Sequence, residues 1–193
     1  KVIGAVNCIY RDDNKRLIGT NTDGAGALWS LKSVYGDLKG ARVLLLGAGG
    51  AALAVAIYVS KALSKKGKIF ISNRTKKPLI ELKKKLSNII REVDLLPWPP
   101  PIEKVKEVDI IINCSSIGFE NFKKDKKGIH SLKFFSPLGN INKNIRVQKS
   151  NELLKDYAYK AAKDISKNVL ETIRFLSKCQ NPMVFDIVYQ PNI

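Results

Sequence analysis

An almost wholly apolar run that leads directly into a glycine cluster constrains the fold of this chain most. Residues 41–46 are apolar except for Arg42, and residues 47–50 contain three glycines. An apolar run bounded by glycines is typical of a parallel strand that is buried on both faces. Residues 51–63 predict a helix, and residues 68–72 predict a second buried strand. A strand, turn, helix and strand within about thirty residues match one β-α-β crossover.

The rest of the chain continues to alternate between strand-like and helix-like segments. Thr22 or Asp23 is placed to cap the first predicted helix, and residues 120–150 are polar and predict a loop. Regular alternation predicts an α/β fold with a mainly parallel sheet. The predicted strands lie at residues 2–10, 17–19, 92–96, 108–113 and 184–189, and the predicted helices at 23–35, 77–90 and 151–178.

Gly47, Gly49 and Ala52 have the spacing G-x-G-x-x-G/A, which binds dinucleotides when it joins a strand to a helix. The first glycine permits a tight turn, the second lets the backbone approach a pyrophosphate, and the small third residue lets the helix pack on the sheet. The helix N-terminus adds free N–H groups and the positive end of the helix dipole. This pattern predicts dinucleotide binding in a Rossmann-like, doubly wound sheet with helices on both faces.

The residues after the second strand of this unit indicate which dinucleotide is bound. NAD-binding domains usually place an Asp or Glu there to hold the ribose hydroxyls, but residues 73–77 contain Arg74, Lys76 and Lys77 and no acid. A carboxylate would repel a 2′-phosphate, whereas a guanidinium binds it through charge-assisted hydrogen bonds. The sequence therefore favours NADP over NAD as cofactor, with a merely basic loop as the alternative.

Polar residues also occur near the ends of other predicted strands, at residues 21–24, 113–118 and 186–191. In open α/β sheets, ligands bind beyond the carboxyl ends of the strands, so these segments are expected to line one crevice. Taken alone, each segment is also explained as a turn with side-chain oxygens.

The chain is strongly basic, with 34 Lys and Arg residues against 17 Asp and Glu and a formal net charge of +17. Such a charge attracts anionic partners, of which nucleic acid is the obvious candidate. The lysines are spread over several segments and are not interleaved with aromatic residues. The sequence therefore favours a solvated basic surface over the steering of small anionic ligands, and both over nucleic-acid binding.

The three cysteines, Cys8, Cys114 and Cys179, are widely spaced and fit neither a zinc site nor a disulfide framework. We expect them to be small buried side chains in a reducing, cytoplasmic compartment, and we expect no metal. Since no apolar run is long enough to cross a bilayer, no membrane partner is expected either.

Six short motifs occur in the order seen in the shikimate dehydrogenases: residues 3–7, 21–24, 47–51, 73–75, 113–118 and 186–189. They span nearly the whole chain, which thus resembles the NADP-binding portion of that family. The resemblance implies reduction of 3-dehydroshikimate to shikimate with NADPH, a step in chorismate and aromatic amino acid biosynthesis. It also implies an N-terminal substrate domain beside a Rossmann domain, with the active site between them.

The resemblance assigns roles to individual residues. Asn7, Asp23 and Tyr189 would contact the small-molecule substrate, and Asp23 would be the acidic member of a catalytic Lys–Asp pair. Cofactor contacts would come from the glycine turn, the basic segment and two later strand ends: Gly47, Ala48, Gly49, Gly50, Ala51, Asn73, Arg74, Thr75, Lys77, Ser115 and Ile187.

The sequence also departs from the family pattern. The family's catalytic lysine lies in the substrate domain, upstream of the matching segments, and Pro78 stands where a further cation is usual. Residues 120–180 are longer than the family's connection. They are expected to cover a sheet edge, to form a homodimer or simply to pack on the sheet through an apolar stripe: Leu154, Tyr157, Ala161, Ile165, Val169, Ile173 and Leu176.

From these features we expect residues 1–193 to form a single NADP-binding Rossmann domain, with residues 1–23 at its junction with a substrate domain. Without the lysine partner, this chain alone is expected to be inactive. A stand-alone NADP-binding module and a quinate dehydrogenase are the alternatives.

Overall fold

Five parallel strands form the central sheet of the computed structural model, which describes residues 4, 6–90, 92–118, 135–140 and 154–187. They lie in the order β5-β4-β3-β6-β7, and every neighbouring pair is parallel. An antiparallel pair, β1 with β2, precedes them as a separate sheet. The bounds are β1 Cys8–Arg11, β2 Leu17–Thr20, β3 Arg42–Leu46, β4 Lys68–Ser72, β5 Glu92–Leu96, β6 Ile110–Asn113 and β7 Met183–Asp186.

Helices lie between the strands of the central sheet along the chain, and a 3₁₀ turn, Ser64–Lys66, follows the second of them. Within the described ranges, no helix is long and apolar enough to cross a membrane. The helices are α1 Asp23–Tyr35, α2 Gly50–Leu63, α3 Lys76–Leu86, α4 Ile102–Val105 and α5 Leu154–Leu176.

The sheet is buried on both faces because successive side chains of a strand point in opposite directions. Val43 and Leu45 of β3 belong to a core cluster with α1, α2 and α3. Leu44 and Leu46 belong to a second cluster, which includes Val105 of α4 and residues of α5. The strands after β3 are added first on one side of it, as β4 and β5, and then on the other, as β6 and β7. This reversal of strand order, with helices on both faces, defines a doubly wound, Rossmann-like sheet. The predicted fold class is confirmed.

α1 lies directly against α2 because small residues meet at their contact. Gly24 is buried, and a Cβ atom there would lie 2.5 Å from the carbonyl oxygen of Ala54 and 2.5 Å from the ring of Tyr58. Gly24 therefore permits the close approach of the two helices. Its residue pattern predicted only a polar, ligand-lining segment.

The exposed face of α5 differs from the one that its apolar spacing predicts. Val169 and Ile173 belong to the predicted stripe, but they are 43% and 57% exposed. Phe175, which is not in the stripe, is buried against the sheet, and Ile165 and Leu176 are partly buried. The prediction that the whole stripe packs is wrong for Val169 and Ile173. The side chains of Leu154, Tyr157 and Ala161 lie outside the description.

A polar residue, Asn168, takes the inward position on α5 instead. Its side chain is fully buried; it accepts a hydrogen bond from Ser136 N at 2.8 Å and donates one to Ser136 O at 3.0 Å. The segment 135–140, which we call the strap, is thereby fixed to α5. Glu171 adds a bond from Asn140 N at 2.5 Å.

Several other bounds differ from the predicted ones. Among the described residues, the first strand is confined to Cys8–Arg11, and α3 ends at Leu86. Thr22 precedes α1, but its side chain makes no capping hydrogen bond. Cys8 is exposed, so the expectation of a buried thiol is wrong there. Apart from the strap, the loop predicted over 120–150 lies outside the described residues, and it remains a prediction.

Candidate functional site

The carboxyl ends of four neighbouring strands are joined by main-chain hydrogen bonds. Gly47 N donates to Ser72 O at 2.8 Å, which ties the end of β3 to the end of β4. Cys114 N donates to Leu46 O at 2.8 Å and Ile187 N donates to Asn113 O at 3.1 Å. These bonds bring the glycine turn, the basic segment and the two later strand ends to one edge of the sheet, where α/β proteins bind ligands.

Gly47 and Gly49 have different environments within the glycine turn. Gly47 has a φ of +104°, and a Cβ atom there would lie 2.7 Å from the carbonyl oxygen of Cys114. Only glycine fits this position without strain. Gly49 has an ordinary extended backbone, and no heavy atom lies within 4 Å of the position that its Cβ would take. Open space therefore remains next to the Gly49 backbone.

The N-terminus of α2 faces this open space, and no described side chain caps it or offsets the partial positive charge of the helix dipole there. Gly49 is the N-cap residue, no side chain caps it, and the first turn contains no acidic residue. The first intrahelical bond runs from Leu53 N to Gly49 O at 2.9 Å. N–H groups at such a helix end and the positive end of its dipole together bind anions.

The basic segment follows β4 and leads into α3. Asn73 donates to Thr75 O at 3.0 Å and to Thr75 Oγ1 at 3.4 Å, which shapes the turn. Arg74, Thr75 and Lys77 are exposed. Within the described part of the chain, Arg74 takes part in no ion pair, so its guanidinium is available to an anion.

Asn113 organises the ends of β6 and β7. It is 2% exposed, and its side-chain nitrogen donates at 3.0 Å to both Ile117 O and Asp186 Oδ1. Its side-chain oxygen accepts from Ser115 N at 3.0 Å and from Ser115 Oγ at 2.7 Å. The Ser115 hydroxyl in turn accepts from Ile117 N at 3.2 Å. These bonds hold Ser115 in a fixed position within the turn after β6, where it would lie next to a cofactor.

Cys114 lies inside this turn, and its thiol is unreactive. Burial raises the pKa of its thiol, and the negative charge of Asp186 raises that pKa further. The protonated thiol is a poor nucleophile. Cys114 therefore contributes packing and a main-chain bond to the edge, rather than reactivity.

Asn7 and Asp23 are brought together on the side of the molecule where α1 begins. Asn7 Nδ2 donates to Asp23 Oδ1 at 2.5 Å and to Thr22 Oγ1 at 3.1 Å, and Asn7 Oδ1 accepts from Thr22 N at 2.9 Å. Because Gly24 touches Ala54, this cluster begins a helix that packs against the first turns of α2.

A cleft of about 390 Å³ lies beside the ends of β6 and β7. Asn113, Asp186, Leu46 and Ile111 line one side of it, and residues 135–138 of the strap line the other. Its volume is within the range of small-molecule pockets. Tyr189, which the resemblance assigns to the substrate, lies outside the described residues.

The sequence match to known proteins is concentrated on the elements that carry this edge. The sequence model of the shikimate / quinate 5-dehydrogenase family matches residues 30–127, just over half of the chain. The chain belongs to this family. The matched range contains the glycine turn, the basic segment and the end of β6, so the resemblance read from six motifs is confirmed.

Curated members of the family match a limited part of their own length. The shikimate dehydrogenase (NADP(+)) of Aquifex aeolicus is 41% identical over 122 residues, which cover 63% of this chain and 41% of the relative. That of Pelagibacter ubique is 39% identical over 116 residues, covering 60% and 40%. The chain thus spans about two fifths of the curated relatives that it matches.

Solved structures of the family have the same fold. The crystal structure of shikimate dehydrogenase from Aquifex aeolicus superposes with a TM-score of 0.51 at 28% identity, covering 96% of this chain and 56% of that chain. A shikimate dehydrogenase crystallised in complex with NADP+ superposes with a TM-score of 0.54 at 26% identity and the same coverage.

Proposed function

We propose that this chain is the NADP-binding portion of a cytoplasmic shikimate dehydrogenase, which reduces 3-dehydroshikimate to shikimate. The observation that carries the proposal is an open helix N-terminus at Gly49, without a side-chain cap, next to a strand end where Arg74 makes no ion pair with any described residue. The names of the relatives, shikimate dehydrogenase (NADP(+)), agree with this cofactor and substrate.

The residues at the edge fit NADP. A side chain at position 49 would fill the space that a pyrophosphate needs, and the sequence leaves it empty. The main chain of residues 47–51 would hold the pyrophosphate at the α2 N-terminus. Arg74 would bind the 2′-phosphate, with Asn73, Thr75 and Lys77 beside it. Ser115 and Ile187 would lie along the nicotinamide half.

When NADPH is bound, it would supply a hydride to the ring carbonyl carbon of the substrate. The residues of this chain would orient the substrate and position the group that donates the proton. Asn7 donates to one carboxylate oxygen of Asp23, which fixes the rotamer of that side chain. The other oxygen would orient the ammonium of the lysine partner, which holds the proton for the carbonyl oxygen. Tyr189 would contact the same substrate.

Cofactor discrimination by Arg74 tests the proposal. In calorimetric titrations the chain is expected to bind NADP much more tightly than NAD. Arg74→Ala removes a charge-assisted contact worth about 1.5–3 kcal/mol, so NADP affinity should fall by about 10- to 150-fold. NAD affinity should hardly change. Arg174→Ala, which removes an exposed arginine from α5, is the matched control and should leave both affinities unchanged.

Assays of the same samples with shikimate and NADP should give no turnover, because no lysine pairs with Asp23 among the residues that the structure describes. Turnover by the chain alone would contradict that part of the proposal. Tight NADP binding that Arg74→Ala does not weaken would contradict the assigned phosphate contact. If a longer gene product carrying this chain binds NADP but oxidises neither shikimate nor quinate, the alternative of an NADP-binding module without dehydrogenase activity is correct. Oxidation of quinate alone would identify the quinate dehydrogenase.

A further inference from the structure

The lysines that are scattered along the sequence converge at the amino edge of the sheet, opposite the cofactor edge. Each of the helices α1, α2 and α3 ends before a sheet strand begins, and each has lysine in its last turn. Further lysines follow α1 and α2. We call this set the lysine row, and all of its members are exposed: Lys32, Lys39, Lys61, Lys65, Lys66, Lys83, Lys84 and Lys85.

Main-chain contacts confirm that these helix ends are neighbours. Gly40 N donates to Leu63 O at 2.9 Å, and Lys68 N donates to Ala41 O at 3.1 Å. These bonds join the entry to β3 with the end of α2. α3 leads into β5, whose first residue, Glu92, lies opposite Lys68 in the sheet register. α2 packs against α1 on one side and α3 on the other, so the row has α2 at its centre.

The charge of the lysine row is not neutralised by the described residues around it. Three acids at this edge pair with cations outside the row: Lys68 pairs with Glu92 at 3.5 Å and with Asp94 at 2.9 Å, and Arg42 pairs with Glu107. Asp37 and Asp109 also lie at this edge, where they accept main-chain hydrogen bonds from Lys39 N at 3.1 Å and from Arg42 N at 2.7 Å. Three helix C-termini contribute roughly half a negative charge each. Together with the carboxylates of Asp37 and Asp109, that is less than the charge of eight lysines, so the row keeps a net positive charge.

We propose that the lysine row binds the phosphate backbone of double-helical nucleic acid without reading its sequence. Helices packed side by side lie about 8–10 Å apart, so three helix ends extend over about 20 Å. Duplex DNA carries one charge per about 1.7 Å of axis, counted over both strands, so roughly twelve phosphates lie along that length. Single-stranded nucleic acid is usually held on aromatic platforms, whereas the row consists of lysines.

This surface is separate from the cofactor edge. The five-residue strands between the two edges are about 15 Å long, so a duplex on the lysine row leaves Gly49 and Arg74 accessible. The inference therefore does not depend on the proposed enzymatic function. It revises the expectation from sequence, because the row is assembled from helix ends that are far apart in the chain.

Fluorescence anisotropy of a labelled duplex, titrated with the full chain at about 50–200 mM salt, tests the inference. The logarithm of the binding constant should fall linearly with the logarithm of salt concentration. The triple variant Lys65→Gln, Lys66→Gln, Lys84→Gln should lose about three units of that slope, because each phosphate contact contributes about 0.9. Saturating NADP should not compete with the duplex.

A matched triple variant outside the row distinguishes binding by the lysine row from attraction by the total positive charge of the chain. Lys15→Gln, Lys163→Gln, Lys167→Gln removes the same charge and should leave the slope unchanged. Equal losses in the two variants would overturn the inference, as would the absence of duplex binding at low salt. Binding to anionic phospholipid vesicles without binding to the duplex would also overturn it. None of these results depends on whether NADP binds.

Discussion

At the scale of single residues, the fold explains the glycine at position 47, whereas ligand binding would explain the glycine at position 49. Gly47 is required by the protein, because its φ of +104° and the carbonyl of Cys114 leave no place for a side chain. Gly49 is not required by the protein, because its backbone is ordinary and the space beside it is open. The motif spacing predicted a tight turn at the first glycine and open space at the second, and the environment of each Cβ agrees with that division.

This difference predicts different outcomes for two matched substitutions. Gly47→Ala should lower the free energy of unfolding by about 1–3 kcal/mol, because it combines backbone strain with a clash. Gly49→Ala should change stability by no more than about 1 kcal/mol but weaken NADP binding tenfold or more, about 1.4 kcal/mol. Urea denaturation and calorimetry check the two quantities. Loss of stability in Gly49→Ala, or full NADP affinity, would refute the assigned role.

Other residues of the site were only partly visible in the sequence. Asp23, Arg74 and Ser115 stand at the ends of predicted elements, where side chains meet ligands. The bonding of Asn113 was not predictable, because its partner Asp186 lies 73 residues away. Nor was the bond from Asn7 to Asp23, which depends on how the β1–β2 pair meets α1.

At the scale of elements, the strap and α5 show where periodicity fails as a guide. The buried strands β3, β4 and β6 were predictable because both of their faces meet helices, which makes apolar runs continuous. α5 has one covered face, and its inward positions include Asn168, which binds the main chain of the strap. A buried asparagine that satisfies backbone groups cannot be distinguished from a surface polar residue by spacing alone.

The account predicts that Asn168 holds the strap to α5. Asn168→Ala should lower the free energy of unfolding by roughly 2–4 kcal/mol: Ser136 N loses its partner, at about 1–3 kcal/mol, and Ser136 O keeps only the longer bond from Gly139 N at 3.4 Å, at about 0.5–1.5 kcal/mol. Ser136→Ala keeps both main-chain groups and, among the described residues, removes the bond from Leu138 N to the Ser136 hydroxyl. It should cost about 0.5–1.5 kcal/mol. Equal losses in urea denaturation would show that the side-chain amide has no special role.

At the scale of the whole molecule, parallel strands separate two kinds of surface. Their carboxyl ends gather glycines, the uncapped α2 N-terminus and Arg74, whereas their amino ends gather the lysine row. Alternation of strands and helices predicted the sheet and its ligand edge. The amino edge could not be predicted in the same way, because net charge carries no information about which helix ends become neighbours.

Amide hydrogen–deuterium exchange with and without NADP tests whether the carboxyl edge of this sheet is the cofactor site. The account predicts that saturating NADP slows exchange at residues 49–53 and 73–77, and that NAD at the same concentration does so much less. Exchange at residues 61–67 and 83–87 of the amino edge should not change. Protection confined to the amino edge, or no protection at either edge, would contradict the account.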